Sequence, residues 1–373
     1  MAIIPGTINQ DTLDGLAESD IIQGLGGNDL IRGNGGDDIL QGNEGNDQLF
    51  GGEGDDVIQG NEGNDIIFGN EGNDILQGGA GRDTFRDSQG VNYFDGGEGV
   101  DSVTFSDLGF GISVNLTEGT SSYTNDNGEQ INQALVSIEN INGTNFDDVI
   151  TGNEANNVFF GLQGNDTFFG GGGNDTFRDG FGVNSFDGGE GVDSVTFSDL
   201  GFGISVNLTE STSSYTNDNG EQINQALVSI ENINGTNFDD VITGNELNNV
   251  FFSLSGDDLI NSGEGNNTIN SGSGNDTIEL GSGSNTINSG SGNDTIELGS
   301  GINTILLEIG EGSDTVFNFQ LGSTRFRGVN ANELGFEQYN GGVNILAADG
   351  DLLASVDGTQ VSTFTENLST IFI

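Results

Sequence analysis

From Gly6 to Thr104 a short triplet centred on an apolar residue alternates with a polar, glycine-rich stretch, and the alternation keeps a period of nine residues without a gap. The segment GNEGNDQLF at 42–50 is one such unit. Numbered from 1 to 9, position 8 is apolar from Leu13 to Val103, while position 6 is Asp11, Asp20, Asp29, Asp38, Asp47, Asp56, Asp65, Asp74, Asp83, Asn92 and Asp101. An apolar residue between two outward-facing ones predicts a short strand, and glycine at positions 1 and 4 predicts a tight turn with left-handed or otherwise strained backbone. A three-residue strand and a six-residue turn cannot bury their one apolar side chain alone, so neighbouring units must stack. The pattern predicts an all-β chain folded as a right-handed parallel β-roll, a β-solenoid with two units per coil and roughly 4.8 Å of rise per coil. Units n and n+2 then share a side, with their turns in register.

The period divides the chain into six segments. It runs over 6–104, lapses over 105–142, returns over 143–196, lapses over 197–234, returns over 235–317, and stops before 318–373. Position 8 stays apolar on each return, as Phe159, Phe168, Phe177 and Phe186 in the middle block and mostly Ile from Ile242 to Ile305. Residues 101–150 and 193–242 match with one difference, Gly119 against Ser211, so a tandem duplication overlies the repeat. Within each lapse, Ile112, Val114 and Leu116 alternate with polar residues, as do Val136 and Ile138, which predicts two half-buried strands in wider β-helical coils. Between them Ser121 to Gln130, and the copy Ser213 to Gln222, predict a polar tongue projecting from the roll. After Asn318, alternation at Val343 to Ala347 and Leu352 to Val356 predicts a small β cap ending in Ile371, Phe372 and Ile373.

Composition adds the chemistry. The chain has 59 acidic and 6 basic residues, a formal charge of −53. Unless cations offset it, such a charge repels the compact state, and it disfavours nucleic acid and anionic membranes as partners. No Cys and no His are present, which removes thiolate and imidazole metal ligands and leaves hard-cation chemistry through oxygen. Met1 to Gly6 has no charged or apolar signal region, and no stretch is long and apolar enough to span a bilayer.

A glycine turn offers backbone carbonyls, and the position 6 Asp adds a carboxylate beside them. Two stacked turns then make an oxygen cage suited to calcium, which tolerates irregular geometry. One side of the first block carries Asp11, Asp29, Asp47, Asp65, Asp83 and Asp101, and the other Asp20, Asp38, Asp56 and Asp74. The middle block offers the pairs Asp148/Asp166 and Asp175/Asp193. In the last block Asp240, Asp258, Asp276 and Asp294 stand opposite Asn249, Asn267, Asn285 and Asn303, which predicts one loaded and one weakly binding or empty face. One ion per neighbouring Asp pair gives about thirteen calcium sites.

The units GLGGNDLIR, GNGGDDILQ and GGEGDDVIQ match the GGxGxDxUx signature, so the chain resembles the RTX (hemolysin-type) calcium-binding repeat proteins. VSIENINGTNFDDVITGN at 136–153 is similar to the connecting rungs of that family, and DTVFNFQLG at 314–322 with ADGDLLASVDG at 348–358 to the region carrying its type I secretion signal. The resemblance implies a calcium-loaded parallel β-roll, threaded unfolded through a type I exporter and folded by calcium outside the cell. A free chain so acidic and glycine-rich should stay expanded, making binding free energy into folding free energy.

The side-chain inventory predicts no enzyme. Without His there is neither an HExxH site nor a Ser/His/Asp triad, and without Lys no Walker A loop. The tongue has Asn125, Asn127 and Gly128 at EF-hand loop places, but Tyr123 and Ala134 stand where carboxylates are needed. Arg86 and Arg178 precede Asp87 and Asp179, which predicts local ion pairs of little energetic weight. The expected function is a secreted, calcium-binding structural component of a cell surface or extracellular matrix. Open strand edges give it a route to self-association head to tail. The alternative is a calcium-dependent adhesin whose duplicated tongues hold polysaccharide or a surface partner.

Overall fold

A computed structural model describes residues 1–86, 90–178 and 180–373, which form two compact units, Met1–Gly191 and Val192–Ile373. The proposed Arg86–Asp87 and Arg178–Asp179 pairs involve positions outside the described residues. Both units are parallel β-solenoids, as the period requires. In the first, Ile21–Gly26, Ile39–Glu44, Val57–Glu62 and Ile75–Gly81 stack in one sheet, and Leu30–Gly35, Gln48–Glu53 and Ile66–Glu71 in the other. Partners are two units apart, for example Ile58 opposite Leu40 and Leu76. These strands run six or seven residues, about twice the expected length, because pairing continues past the core triplet into the turn, as at Asn43 opposite Asn61. In the second unit the repeat strands are short, such as Thr268–Asn270 and Thr277–Glu279.

Position 8 is the core. Ile22, Ile31, Leu40, Leu49, Ile58, Ile67, Leu76, Phe85, Phe94 and Val103 are 0% exposed, so each removes a whole apolar side chain from water, about 1.5–3 kcal/mol apiece. Only Leu13, near the first rung, is half-buried. Glycine at position 4 is dictated by the stacking. At Gly63, with φ of +129°, a Cβ would lie 1.8 Å from the Gly45 carbonyl oxygen of the coil beneath.

The lapse departs from a wider coil. Tyr93–Gly99 pairs in parallel with Gln130–Val136, which pairs antiparallel with Thr120–Thr124; that strand pairs antiparallel with Ile112–Asn115, which returns to parallel against Val149–Thr151. One sheet thus gains three strands where the other adds only Asn140–Asn142 between Ser102–Thr104 and Val158–Phe160. Much of the expected tongue is therefore a central strand, and only its tip turns outward. There Asn125 Oδ1 accepts from the Asn127 and Glu129 N–H groups, closing a tight loop. Tyr123 is buried and stacks on Phe110 at 5.9 Å. Val136, expected inside, is 40% exposed, and Leu135 takes the core place opposite Phe94, because Ser137 at φ of +51° breaks the alternation. In the second unit Ile204–Asn207, Thr212–Thr216 and Gln222–Val228 repeat the antiparallel meander.

The second unit ends in a cap. Leu352–Asp357 pairs with Asp314–Phe317 and belongs to an antiparallel meander with Gly342–Leu346 and Gly335–Gln338, as the alternation predicted. The expected β ending is instead two short helices, Val361–Thr365 and Leu368–Ile371; Phe364 of the first and Phe372, just after the second, pack with Phe326 and Phe336. No helix among the described residues is long and apolar enough to cross a membrane.

Outward positions also fall into register. Gln23, Gln41, Gln59 and Gln77 form a side-chain amide ladder on one sheet of the first unit, with steps of 2.7–2.9 Å. On the other sheet the corresponding column reads Arg32, Phe50, Phe68, Arg86, Thr104, Asn142, Phe160, Arg178.

Candidate metal centre

The position 6 side chains sit at the inner edge of each turn, held there by the coil beneath. Of the predicted ligands only Asp11 is half-buried. Asp20, Asp29, Asp38, Asp47, Asp56, Asp65, Asp74, Asp83, Asp101, Asp148, Asp166, Asp175, Asp193, Asp240, Asp258, Asp276 and Asp294 are each at most 2% exposed. Neighbours on one side are tied by backbone bonds spanning one coil. The Asp29 N–H donates to Asp47 Oδ1 at 2.7 Å, Asp47 to Asp65 at 2.7 Å and Asp65 to Asp83 at 2.8 Å. On the other side Asp38 donates to Asp56 at 2.7 Å and Asp56 to Asp74 at 2.9 Å. Asp148 donates to Asp166, and Asp240, Asp258, Asp276 and Asp294 form a third ladder. Asp175 belongs to the first unit and Asp193 to the second, so their pairing stays a proposal.

Beyond the first rung the ladder carboxylates thus spend Oδ1 on the coil beneath. Oδ2 of Asp29, Asp38, Asp47, Asp56, Asp65, Asp74, Asp83 and Asp101, and of Asp258, Asp276 and Asp294, is buried with no hydrogen-bond partner. In the first block it faces the position 1 glycine of its own unit. A Cβ on Gly42 would lie 2.1 Å from Asp47 Oδ2 and 2.9 Å from the Gly60 carbonyl oxygen of the next coil. Glycine there leaves room in which a carboxylate oxygen and a carbonyl oxygen converge. An unpartnered buried anion is costly, and the cost shows in its proton affinity. Burial pushes Asp47, Asp74 and Asp101 up to about 6 and Asp56, Asp65, Asp258 and Asp294 up to about 7, against backbone N–H bonds that act the other way. Among the described residues no three acidic side chains gather at one point, so an ion held here would take its remaining ligands from turn carbonyls. Calcium accepts such a set, two carboxylates with carbonyl oxygens, and the residues fit it.

Some rungs are satisfied by protein instead. The Thr144 N–H and hydroxyl donate to Asp148, the Thr236 N–H and hydroxyl to Asp240, and the Thr7 N–H and hydroxyl to Asp11. Glu139 and Glu231 take the Asp101 and Asp193 N–H groups across a lapse, each at 2.8 Å. Asp314 takes the Asp294 N–H across 20 residues rather than 18. The fixed period hides all three acids, although Thr after the position 1 glycine was a readable signal.

The asparagine side of the last block differs in kind. The Asn267 amide donates to the Ser262 and Glu264 carbonyls, Asn303 to the Gly299 carbonyl, and Asn249 to the Glu231 carbonyl. The amide occupies carbonyl oxygens of the turn that an ion would otherwise use. In the Asn285 and Asn303 units position 1 becomes Leu280 and Leu298, both buried. On the aspartate side position 1 becomes Ser, and the Ser253 and Ser271 hydroxyls donate to carbonyls of the next coil at 3.0 and 2.8 Å.

The RTX calcium-binding nonapeptide repeat model matches residues 5–40, 41–76, 68–103, 137–168, 160–195, 234–269, 243–278 and 270–305. Among solved structures, extracellular lipase LipA from Serratia marcescens is 15% identical with a TM-score of 0.24, the match covering 63% of this chain and 40% of the lipase. The chain therefore spans less than half of that enzyme's length, and a likeness so loose carries no functional weight. No curated protein matches the chain.

Proposed function

Because the chain belongs to the RTX calcium-binding nonapeptide repeat family, we propose that it is a secreted, non-enzymatic structural protein of a cell surface or matrix whose fold calcium completes. The observation that carries this is the ladder of buried carboxylates with unpartnered Oδ2 atoms, which leaves the metal-free fold with uncompensated charge. A cation between rungs offsets that charge and the −53 of the whole chain together. The low calcium of a cytoplasm would keep the chain export-competent, and a type I exporter is the route the family resemblance implies. About thirteen ions remain the proposed load, one per neighbouring Asp pair. Loading is one-sided in the last block, where asparagine amides and buried leucines take the opposite face.

Head-to-tail stacking through bare strand edges has less support, since the helices and meander of the cap lie against the last rungs of the second unit. The experiment is a calcium titration of the full chain followed by circular dichroism and calorimetry, with electron microscopy at both ends. Coil without calcium and β structure with it, at a stoichiometry near the number of Asp pairs, supports the proposal. Full β content in excess chelator above pH 7 refutes it.

A further inference from the structure

The acid-rich chain keeps the strands of one face almost free of acid, Asp14 on the first strand being the exception. In the first unit, the two outward positions beside each core residue carry no carboxylate on any strand from Leu30–Gly35 to Thr176–Arg178 of the second sheet. Three of the six Arg stand in one column there, Arg32, Arg86 and Arg178. Its aromatic members are ordered against them. Phe50 stacks on Phe68 at 4.4 Å, Arg86 lies over the Phe68 ring at 5.5 Å, and Arg178 lies over Phe160 at 4.9 Å. Between Phe68 and Phe160 is a shallow depression of about 490 Å³ floored by Thr104 and Asn142. The opposite sheet of this unit has outward acids, Asp95 and Asp187, and no arginine.

We propose that this column is a docking strip for an extended, sparsely acidic polysaccharide, whose apolar sugar face lies on the Phe160 ring, open on the Asn142 side, and whose carboxylates meet Arg86 and Arg178. Rungs repeat at roughly 4.8 Å, close to the advance of an extended β-linked sugar chain, so each sugar meets a similar step. Arg32 and Arg86 are three rungs apart and Arg86 and Arg178 four, which separates the guanidinium groups by about 14 and 19 Å. That spacing fits one carboxylate in every three or four sugars. A nucleic acid, with a phosphate on every residue, would meet too few cations against the charge of this chain. Guanidinium groups laid on aromatic rings are preorganised, so little side-chain entropy is lost on binding. Arg32 is paired with Asp14 at 3.1 Å and Arg86 with Asp107 at 3.4 Å, and these are carboxylates that the ligand must share or displace.

The test uses the full chain in calcium on immobilised gellan fragments, a polymer with one uronate in each four-sugar repeat, with dextran and polyuridylate as competitors. Retention of wild type, and at least tenfold weaker retention of the Arg86→Gln/Arg178→Gln variant with unchanged circular dichroism, is expected. Gln59→Ala on the opposite sheet should bind as wild type. If the double variant misfolds, Phe160→Leu replaces it with the same two outcomes. Equal binding by the variants, or equal competition by dextran or polyuridylate, overturns the proposal.

Discussion

Replacing Asp65 by Asn should stabilise the calcium-free chain and weaken the calcium-loaded one. Asp65 is 1% exposed, its Oδ2 has no partner, and burial raises its carboxyl from 3.8 to about 7. An acid whose folded value is raised costs nothing below its unfolded value, and its full penalty is present above the folded one. Three units at ~1.36 kcal/mol each set a ceiling on the order of 4 kcal/mol above pH 7, because the chain can relax around the charge. Asn is neutral at every pH and removes that cost. Its amide would also point into the space beside the Gly78 carbonyl, which lies 2.7 Å from a Cβ built on Gly60. One net hydrogen bond there contributes about 1 kcal/mol. With calcium the balance reverses, since Asp65 is shared by the proposed Asp47/Asp65 and Asp65/Asp83 ions. The assay is urea unfolding in chelator and in calcium, with calorimetry for stoichiometry. A higher midpoint in chelator, a lower one in calcium and about two fewer ions are expected. A variant that is less stable in chelator, or that binds the wild-type number of ions, refutes the reasoning.

Acid should partly replace calcium. As pH falls from about 7 toward 3.8, protonation of Asp56, Asp65, Asp258 and Asp294 removes their penalty, so the β signal in chelator should rise, and a flat profile would count against the ladder as the obstacle to folding. Gly63→Ala should destabilise the fold even in calcium by at least 1–3 kcal/mol, read as a lower unfolding midpoint, because its φ is left-handed and its Cβ meets backbone. Asn285→Asp should lower thermal stability without adding an ion, since Leu280 and Leu298 fill that side; an extra calcium by calorimetry would contradict this.

Sequence alone determined the fold class, the core column and the recurring carboxylate. A strand of period two joined to a turn of fixed length leaves one inward position per unit, so Ile22, Ile58 and Phe177 were legible without coordinates, and all are 0% exposed. The aspartates opposite one another were legible for the same reason, as two units make one coil. Only the tertiary structure decided what each carboxylate oxygen meets. The capping bonds span 18, 20 or 38 residues, so Asp314, Glu139 and Glu231 enter the ladder through coil lengths that no constant period reveals. It also decided that the lapse is an antiparallel meander, and that Leu135 rather than Val136 faces the core, because the left-handed Ser137 breaks an alternation that the side chains suggest. The Arg–Phe column is likewise assembled from single residues one coil apart, and its register exists only once the coils are stacked.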